Sequence, residues 1–117
     1  MESVHFDHAA STPVDERVLE AMQRWWQENY ANPSSRHAAG VAAAETLDEA
    51  RRRVAWATGA QPDRVIFTSG ATEANNVAVF GHARARKQHG RHVLVGPLEH
   101  PGTKMPALAL KEEGFEV

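Results

Sequence analysis

The residues best suited to chemistry lie where a short apolar run gives way to small polar residues. Val65-Ile66-Phe67 is bounded by turn residues on both sides and predicts a buried strand. Ser69 and Gly70 follow it, and a helical pattern begins at about Thr72. The first N–H groups of a helix have no partner within the helix, and the helix dipole places partial positive charge there. A strand that leads through small polar residues into a helix therefore predicts an anion site.

Several groups in this stretch can contact an anion. Gly70 permits a tight turn or a close backbone approach, and Ser69 and Thr72 add hydroxyl donors. The alternative is an ordinary capped helix after a strand. Glu73 favours that alternative, since a carboxylate in the first turn already satisfies the dipole. The local pattern leaves both interpretations open.

His100 is a second candidate for chemistry, because it lies shortly after another apolar run. The run at residues 92–95 predicts a strand, and ligands of α/β folds bind at the carboxyl ends of strands. A neutral imidazole at such an edge can serve as acid or base near pH 7. The alternative is that His100 only caps the next helix.

A metal site is not expected. His5, Asp7 and His8 are grouped, which could suggest a metal site with His37. However, the chain has no HExxH-type spacing and no helical i, i+4 pair of histidines to support it. The sequence also contains no cysteine, which excludes disulfides, thiolate metal sites and a cysteine nucleophile within these residues.

Length and composition favour an ordinary soluble globular chain. The 117 residues suggest one domain with a modest core, and the 42% hydrophobic and 24% charged contents are typical of that class. A net charge of −2 gives no basic field for nucleic acid. No apolar run approaches the length of a membrane span, and the N-terminus does not resemble a signal peptide. We therefore expect a cytoplasmic protein with neither nucleic acid nor membrane as a partner.

Two helices are predicted before the first apolar run. The first begins with Thr12 as N-cap and Pro13 in the first helical position, and it ends near Asn29. The second covers about residues 38–58 and is stopped by Gly59. Its apolar positions form a narrow seam that we expect to be buried: Ala43, Leu47, Ala50, Val54 and Ala57.

From residue 64 the predicted order is strand, helix, strand, helix, strand. The third helix continues to about Gln88, and the fourth covers about residues 103–113, where Pro106 is tolerated only in the first turn. Phe115-Glu116-Val117 begins the last strand. This order predicts an α/β fold with a right-handed parallel layer. Because a parallel sheet needs both faces covered, the chain looks like the first part of a larger domain. The apolar face of the third helix is expected at Ala74, Val77, Ala78 and Gly81.

Four motifs follow one another along the chain. They are FDHAASTP at 6–13, NPSSRH at 32–37, FTSGATEANN at 67–76 and EHP at 99–101. In this order they resemble the motifs of cysteine desulfurases, which belong to the class V aminotransferase group with the fold type I pyridoxal-phosphate architecture. The resemblance covers essentially all of the chain. It implies that residues 1–13 are an N-terminal segment of the small domain, and residues 14–117 the first part of the large cofactor-binding domain.

The resemblance also implies roles for individual residues. In the family the Ser-Gly-Ala-Thr turn binds the cofactor phosphate, which implies this role for Gly70, Ala71 and Thr72. The histidine of the Glu-His motif stacks on the pyridine ring and assists proton transfer, which implies a catalytic role for His100.

The two N-terminal motifs carry weaker implications. The Asn-Pro-Ser-Ser loop lies near the active site in the family, often at the dimer boundary, which makes Asn32 and His37 candidates. Asp7, His8 and Ala9 would help to form the site entrance or a contact with the small domain.

The implied activity is removal of sulfur from L-cysteine, giving L-alanine and an enzyme persulfide for iron–sulfur cluster or thio-cofactor synthesis. A homodimer and a sulfur acceptor or scaffold protein are implied as partners. Alternatives are a selenocysteine lyase, another class V aminotransferase, or a non-catalytic fragment that complements a separate chain.

Two essential groups of the family are missing from these residues. The family lysine that binds the cofactor as a Schiff base follows a Ser-x-His motif, whereas Lys87, Lys104 and Lys111 all lie in other contexts. The persulfide-forming cysteine is absent as well. We therefore expect the 117-residue chain by itself to be inactive and to bind pyridoxal phosphate non-covalently at most.

Overall fold

Helices dominate residues 4–117, the part of the chain that the computed structural model describes. Within it the chain divides into two compact units between Val65 and Ile66. No helix in this part combines the length and apolarity that crossing a membrane requires. The helices are α1 (Glu16–Glu28), α2 (Ala38–Thr58), α3 (Ala71–Arg86) and α4 (Pro101–Ala109), with 3-10 helices at Pro62–Arg64 and Leu110–Glu113.

α1 begins later than predicted, and its N-cap is Asp15 rather than Thr12. The Asp15 carboxylate accepts a hydrogen bond from the Arg17 backbone N–H at 2.9 Å and pairs with the Arg17 guanidinium at 2.8 Å. An aspartate there accepts a hydrogen bond from a free N–H, and its negative charge interacts favourably with the positive end of the helix dipole. It is therefore preferred over a threonine hydroxyl. The predicted end is confirmed, with Asn29 as C-cap.

α2 has the predicted bounds, but its predicted buried seam is wrong. Gly59 ends the helix with φ 69°, in the left-handed region that glycine adopts readily. Of the five seam residues only Ala43 is buried, and the other buried positions of α2 are Gly40 and Ala55. The reason is that α2 packs locally, against the loop at Ser35 and against the 3-10 helix Pro62–Arg64, rather than along its whole length.

α3 packs against α4 in the second unit, through a face that the sequence analysis did not choose. The predicted face of Ala74, Val77, Ala78 and Gly81 is exposed. Phe80 and Val79 bury more apolar surface than alanines do, which explains why α3 packs through the face that carries them. The partly buried positions of α3 are Asn75, Asn76, Val79, Phe80 and Ala83.

α4 begins at Pro101, two positions before the predicted start at Thr103, and Pro106 lies beyond its first turn. The expectation for Pro106 is therefore wrong: the proline is buried in the second turn and lacks the N–H that would bond to the Gly102 carbonyl. The regular α-helix ends soon afterwards, at Ala109. The chain continues as the 3-10 helix and stops at Gly114, whose φ is 81°.

The three predicted strands do not form in residues 4–117. A single parallel bridge joins His92 to Glu116 instead. The Val93 N–H donates to the Glu116 carbonyl and the Glu116 N–H to the Arg91 carbonyl, both at 2.8 Å. The pairing direction agrees with the predicted parallel layer. One bridge is not a ladder, however, and extended backbone becomes a strand only where several neighbouring residues pair in succession.

Gly40 lies directly against the loop that precedes α2. A Cβ at this position would lie 2.3 Å from the Ser35 carbonyl oxygen, so backbone would have to move to accommodate it. We expect Gly40→Ala to lower the free energy of unfolding by about 1–3 kcal/mol, the usual cost of overpacking. Urea unfolding followed by circular dichroism measures this change.

The neighbouring residue provides the matched control for that substitution. Val41 follows Gly40 on α2 and is 47% exposed, so Val41→Ala should change the free energy of unfolding by less than about 0.5 kcal/mol. Equal destabilisation by the two variants would show that the contact with Ser35 has no special cost.

Candidate functional site

A cleft of about 550 Å³ lies between α3 and α4 in the second unit. It brings together Thr72 and His100, which the sequence analysis had selected separately. Clefts of 300–1,000 Å³ are the usual size of small-molecule sites. The other lining residues include Asn76, Phe80, Gly102 and Met105.

The start of α3 has free hydrogen-bond donors. Gly70 is the N-cap residue, and no side chain caps this helix. Within residues 4–117 the backbone N–H groups of Ala71, Thr72 and Glu73 donate to no acceptor, and the Thr72 hydroxyl makes no hydrogen bond. This end of α3 therefore presents several donors together with the positive end of the helix dipole.

Glu73 does not satisfy these donors, although it lies in the first turn. Its carboxylate accepts hydrogen bonds from the Ser69 hydroxyl and the Ser69 N–H, both at 2.7 Å. These bonds, the hydroxyl first, lower the pKa of Glu73, so the carboxylate is ionised at neutral pH. The Ser69 hydroxyl is thus already used, which leaves Thr72 as the available hydroxyl of the predicted pair.

The backbone conformation at position 70 does not require a glycine. Its φ of 165° is extended and accessible to any residue, so of the two expected reasons for a glycine a tight turn with positive φ does not apply. A Cβ at position 70 would meet nothing within 4 Å. The space beside Gly70 is therefore open in the described residues.

His100 is the N-cap of α4, as the simpler of its two interpretations predicted. Its Nδ1 accepts a hydrogen bond from the Gly102 N–H at 3.0 Å, and its carbonyl accepts from Thr103 and Lys104. Because Nδ1 acts as acceptor, this bond assigns the ring proton to Nε2. The imidazole also lines the cleft, so the capping role and a position at the site occur together.

Asn32 and His37 belong to the first unit, where both have local structural roles. The Asn32 side-chain oxygen accepts from the Ser34 N–H at 2.8 Å, which forms a turn. His37 is the N-cap of α2, and its Nδ1 accepts from the Gly40 N–H at 3.2 Å. Both residues therefore shape the loop before α2.

Residues 8–10 form an exposed turn, and the Asp7 carbonyl before it accepts from the N–H groups of Ala10 and Ser11. The His5 and His8 rings meet edge to face with centroids 5.1 Å apart. In the described residues no group of three or more histidine, cysteine or carboxylate side chains is placed to hold a metal ion.

The sequence analysis missed the residues that join α3 to α4 beside the cleft. The Asn75 side-chain nitrogen donates to the Thr103 hydroxyl at 3.1 Å. Gly102 is buried, and a Cβ there would lie 3.1 Å from His100 Nδ1 and 3.4 Å from the Thr72 hydroxyl oxygen. A signal for the pair was available, since Asn75 and Thr103 each lie three residues after a predicted site residue and share its helix face.

Comparison with known proteins gives a consistent family. The model of the aminotransferase class-V family matches residues 4–117. The chain is 44% identical, over 97% of its length, to cysteine desulfurase IscS 1 of Archaeoglobus fulgidus. Among solved structures, a NifS-like protein matches with a TM-score of 0.85 and 37% identity over 96% of this chain. DndA from Streptomyces lividans matches with a TM-score of 0.77 and 38% identity over 97% of this chain.

These proteins are much longer than the present chain. The alignment spans 30% of the Archaeoglobus desulfurase, 31% of the NifS-like chain and 32% of DndA. The chain therefore spans about a third of the length of these proteins.

The cap formed by His100 can be tested apart from any chemistry. His100→Ala should lower the free energy of unfolding by about 1 kcal/mol, because the Gly102 N–H loses its acceptor. His100→Asn should retain most of the stability, since asparagine is a favourable N-cap residue. Urea unfolding measures both variants, and a loss as large for asparagine as for alanine would contradict the capping role.

Proposed function

The chain belongs to the aminotransferase class-V family, and from this premise we propose that it contributes the phosphate- and ring-binding residues of a pyridoxal-phosphate site to a cysteine desulfurase. The observation that carries the proposal is the shared cleft of Thr72 and His100 beside the uncapped start of α3. The desulfurase assignment is supported by the relative from Archaeoglobus fulgidus.

The residues at the start of α3 suit a phosphate dianion. The N–H groups of Ala71 and Thr72 and the Thr72 hydroxyl have no acceptor within residues 4–117, so a phosphate would complete their hydrogen bonding. Gly70 would let the phosphate approach the backbone, because nothing in the described residues occupies the space beside its Cα. Glu73 does not take these donors, since its carboxylate is bonded to Ser69.

His100 suits the pyridine ring of the same cofactor. Its cap to Gly102 fixes the imidazole in one orientation, and a fixed aromatic ring stacks at little entropic cost. With Nδ1 occupied and the proton on Nε2, the ring offers a stacking face and one donor but no free lone pair. The cap therefore favours the stacking role, and accepting a proton at Nδ1 would require the bond to Gly102 to open.

The cofactor and the remainder of the site would supply the rest of the reaction. When bound, pyridoxal phosphate supplies an electron sink for chemistry at an amino acid substrate, which we propose to be L-cysteine, with L-alanine and a persulfide as products. The persulfide cysteine has to come from polypeptide outside these residues, because they contain no cysteine. The resemblance places the cofactor-binding lysine outside these residues too, because none of Lys87, Lys104 and Lys111 follows a Ser-x-His motif.

The proposal also includes the fold, the oligomeric state and a sulfur acceptor. The parallel bridge between His92 and Glu116 supports an α/β layer of the fold type I architecture in the longer protein. A homodimer, with Asn32 and His37 near its boundary, and a sulfur acceptor for iron–sulfur cluster synthesis complete the proposal.

Binding of pyridoxal phosphate and of pyridoxal tests the phosphate-binding residues and the ring-binding residue of the proposed site separately. Thr72→Val should weaken pyridoxal phosphate binding about tenfold, because a charge-assisted hydrogen bond to phosphate is lost. The same variant should bind pyridoxal, which lacks the phosphate, as the unchanged chain does. Fluorescence titration of the 117-residue chain gives both dissociation constants.

His100→Asn supplies the complementary arm of this experiment. The variant keeps the cap but loses the stacking ring, so it should weaken the binding of pyridoxal and of pyridoxal phosphate by a similar factor. If Thr72→Val changes the dissociation constant of neither ligand, or changes both by the same factor, the start of α3 does not bind the phosphate.

A further prediction concerns the activity of these residues alone. We expect the 117-residue chain to release no sulfide from L-cysteine and to show no specific lysine labelled by pyridoxal phosphate after borohydride reduction. The reason is the absence of cysteine and of a lysine in the family context. The full-length Archaeoglobus relative serves as positive control in the same assay. Stoichiometric labelling of one lysine, together with sulfide release, would refute this expectation.

A further inference from the structure

One side-chain hydrogen bond joins α3 to α4 beside the cleft. The Asn75 side-chain nitrogen donates to the Thr103 hydroxyl at 3.1 Å, and both residues are partly buried. A hydrogen bond shielded from water in this way holds its geometry better than an exposed one. The bond therefore fixes the distance between the two helices at this end.

Each partner of this bond lies one helical turn from a site residue. Thr72 precedes Asn75 by three positions on α3, and His100 precedes Thr103 by three positions on α4. Residues three apart share a helix face, and the Thr103 N–H also donates to the His100 carbonyl at 2.9 Å. A change of spacing at Asn75–Thr103 is thus passed directly to Thr72 and His100.

Gly102 shows how closely the two site residues are set. A Cβ at this buried position would be 3.1 Å from His100 Nδ1 and 3.4 Å from the Thr72 hydroxyl oxygen, so both groups flank the same small space. Thr72 and His100 are themselves exposed, and the close packing is at the buried Gly102. A ligand that contacts both groups would therefore respond to a small movement of α4.

The other polar tie of α3 in the described residues is less suited to this role. At the far end Arg84 pairs with Glu113 at 2.6 Å, but their side chains are 56% and 37% exposed. Exposed ion pairs contribute little and are screened by salt. The cleft end of the helix pair thus depends on the Asn75–Thr103 bond and on the apolar contacts around it.

We propose that Asn75 and Thr103 are positioning residues, whose hydrogen bond sets the spacing between the Thr72 hydroxyl and the His100 imidazole for a ligand that binds both. The proposal rests on the proposed function for the identity of that ligand. The spacing itself is a property of the unliganded chain and can be measured without any cofactor.

The test uses two substitutions of Thr103 in the full 117-residue chain. Thr103→Val removes the hydroxyl with little change of shape, and Thr103→Ser keeps the hydroxyl. The NMR signals of the His100 imidazole report its surroundings in the absence of ligand, and fluorescence titration gives the dissociation constant of pyridoxal phosphate. Thr58→Val is the matched control, because its hydroxyl bonds the Val54 carbonyl in the first unit.

We expect Thr103→Val to shift the His100 signals and to weaken pyridoxal phosphate about three- to tenfold, the range for losing one hydrogen bond. Thr103→Ser should restore both, and Thr58→Val should alter neither. In a double-mutant cycle with Asn75→Ala, the effects of the two single variants should not add, because each removes the same bond.

The outcomes separate this proposal from the function on which it rests. Unmoved His100 signals in Thr103→Val overturn the positioning role, whatever the cofactor does. If the unchanged chain binds no pyridoxal phosphate, the proposed function fails, and the NMR comparison still decides whether Thr103 positions His100. Urea unfolding identifies a variant that is not folded, and Asn75→Ala then replaces Thr103→Val in the comparison.

Discussion

The arrangement of this chain depends on how each helix satisfies its first backbone N–H groups. At the starts of α1, α2 and α4 the N-cap side chain, that of Asp15, His37 or His100, accepts a hydrogen bond from a backbone N–H group of its own helix. α3 differs, since Gly70 has no side chain to offer and Glu73 is bonded to Ser69. Leaving donors unpaired is costly unless water or a ligand meets them. The start of α3 is exposed and uncapped, so its first N–H groups are accessible to water or to a ligand.

The histidine caps connect local structure to chemistry. A cap through Nδ1 uses the lone pair that a general base would need, and it holds the ring proton on Nε2. The same bond fixes the ring orientation of His100 without help from distant residues. Capping and site membership are therefore compatible for His100, although the sequence analysis set them against each other. The cap limits which of the two chemical roles, stacking or proton transfer, is accessible to the imidazole without a rearrangement.

Local signals in the sequence predicted the four helices, whereas the contacts between elements could not be predicted from local signals. Gly59 and Asn29 end their helices as predicted, because a cap depends on a few adjacent residues. The packed face of α3 was wrong, since Phe80 can be recognised as buried only when α4 is known to lie against it. The start of α1 was wrong for a local reason, the competition between Thr12 and Asp15. The predicted strands depend on partners, and one parallel bridge is all that residues 92–116 supply.

The candidate site shows the same division between local signals and contacts between elements. Thr72 was selected as the start of a helix and His100 as a residue after an apolar run, and no short-range pattern says how far apart the two lie. That distance is fixed by non-local contacts: the bond from Asn75 to Thr103 and the close packing at Gly102. A site made of two helix starts therefore takes its donors from local sequence and its geometry from the packing of the helices. Substitutions at the contact between α3 and α4 should accordingly change the spacing of these two groups without replacing either of them.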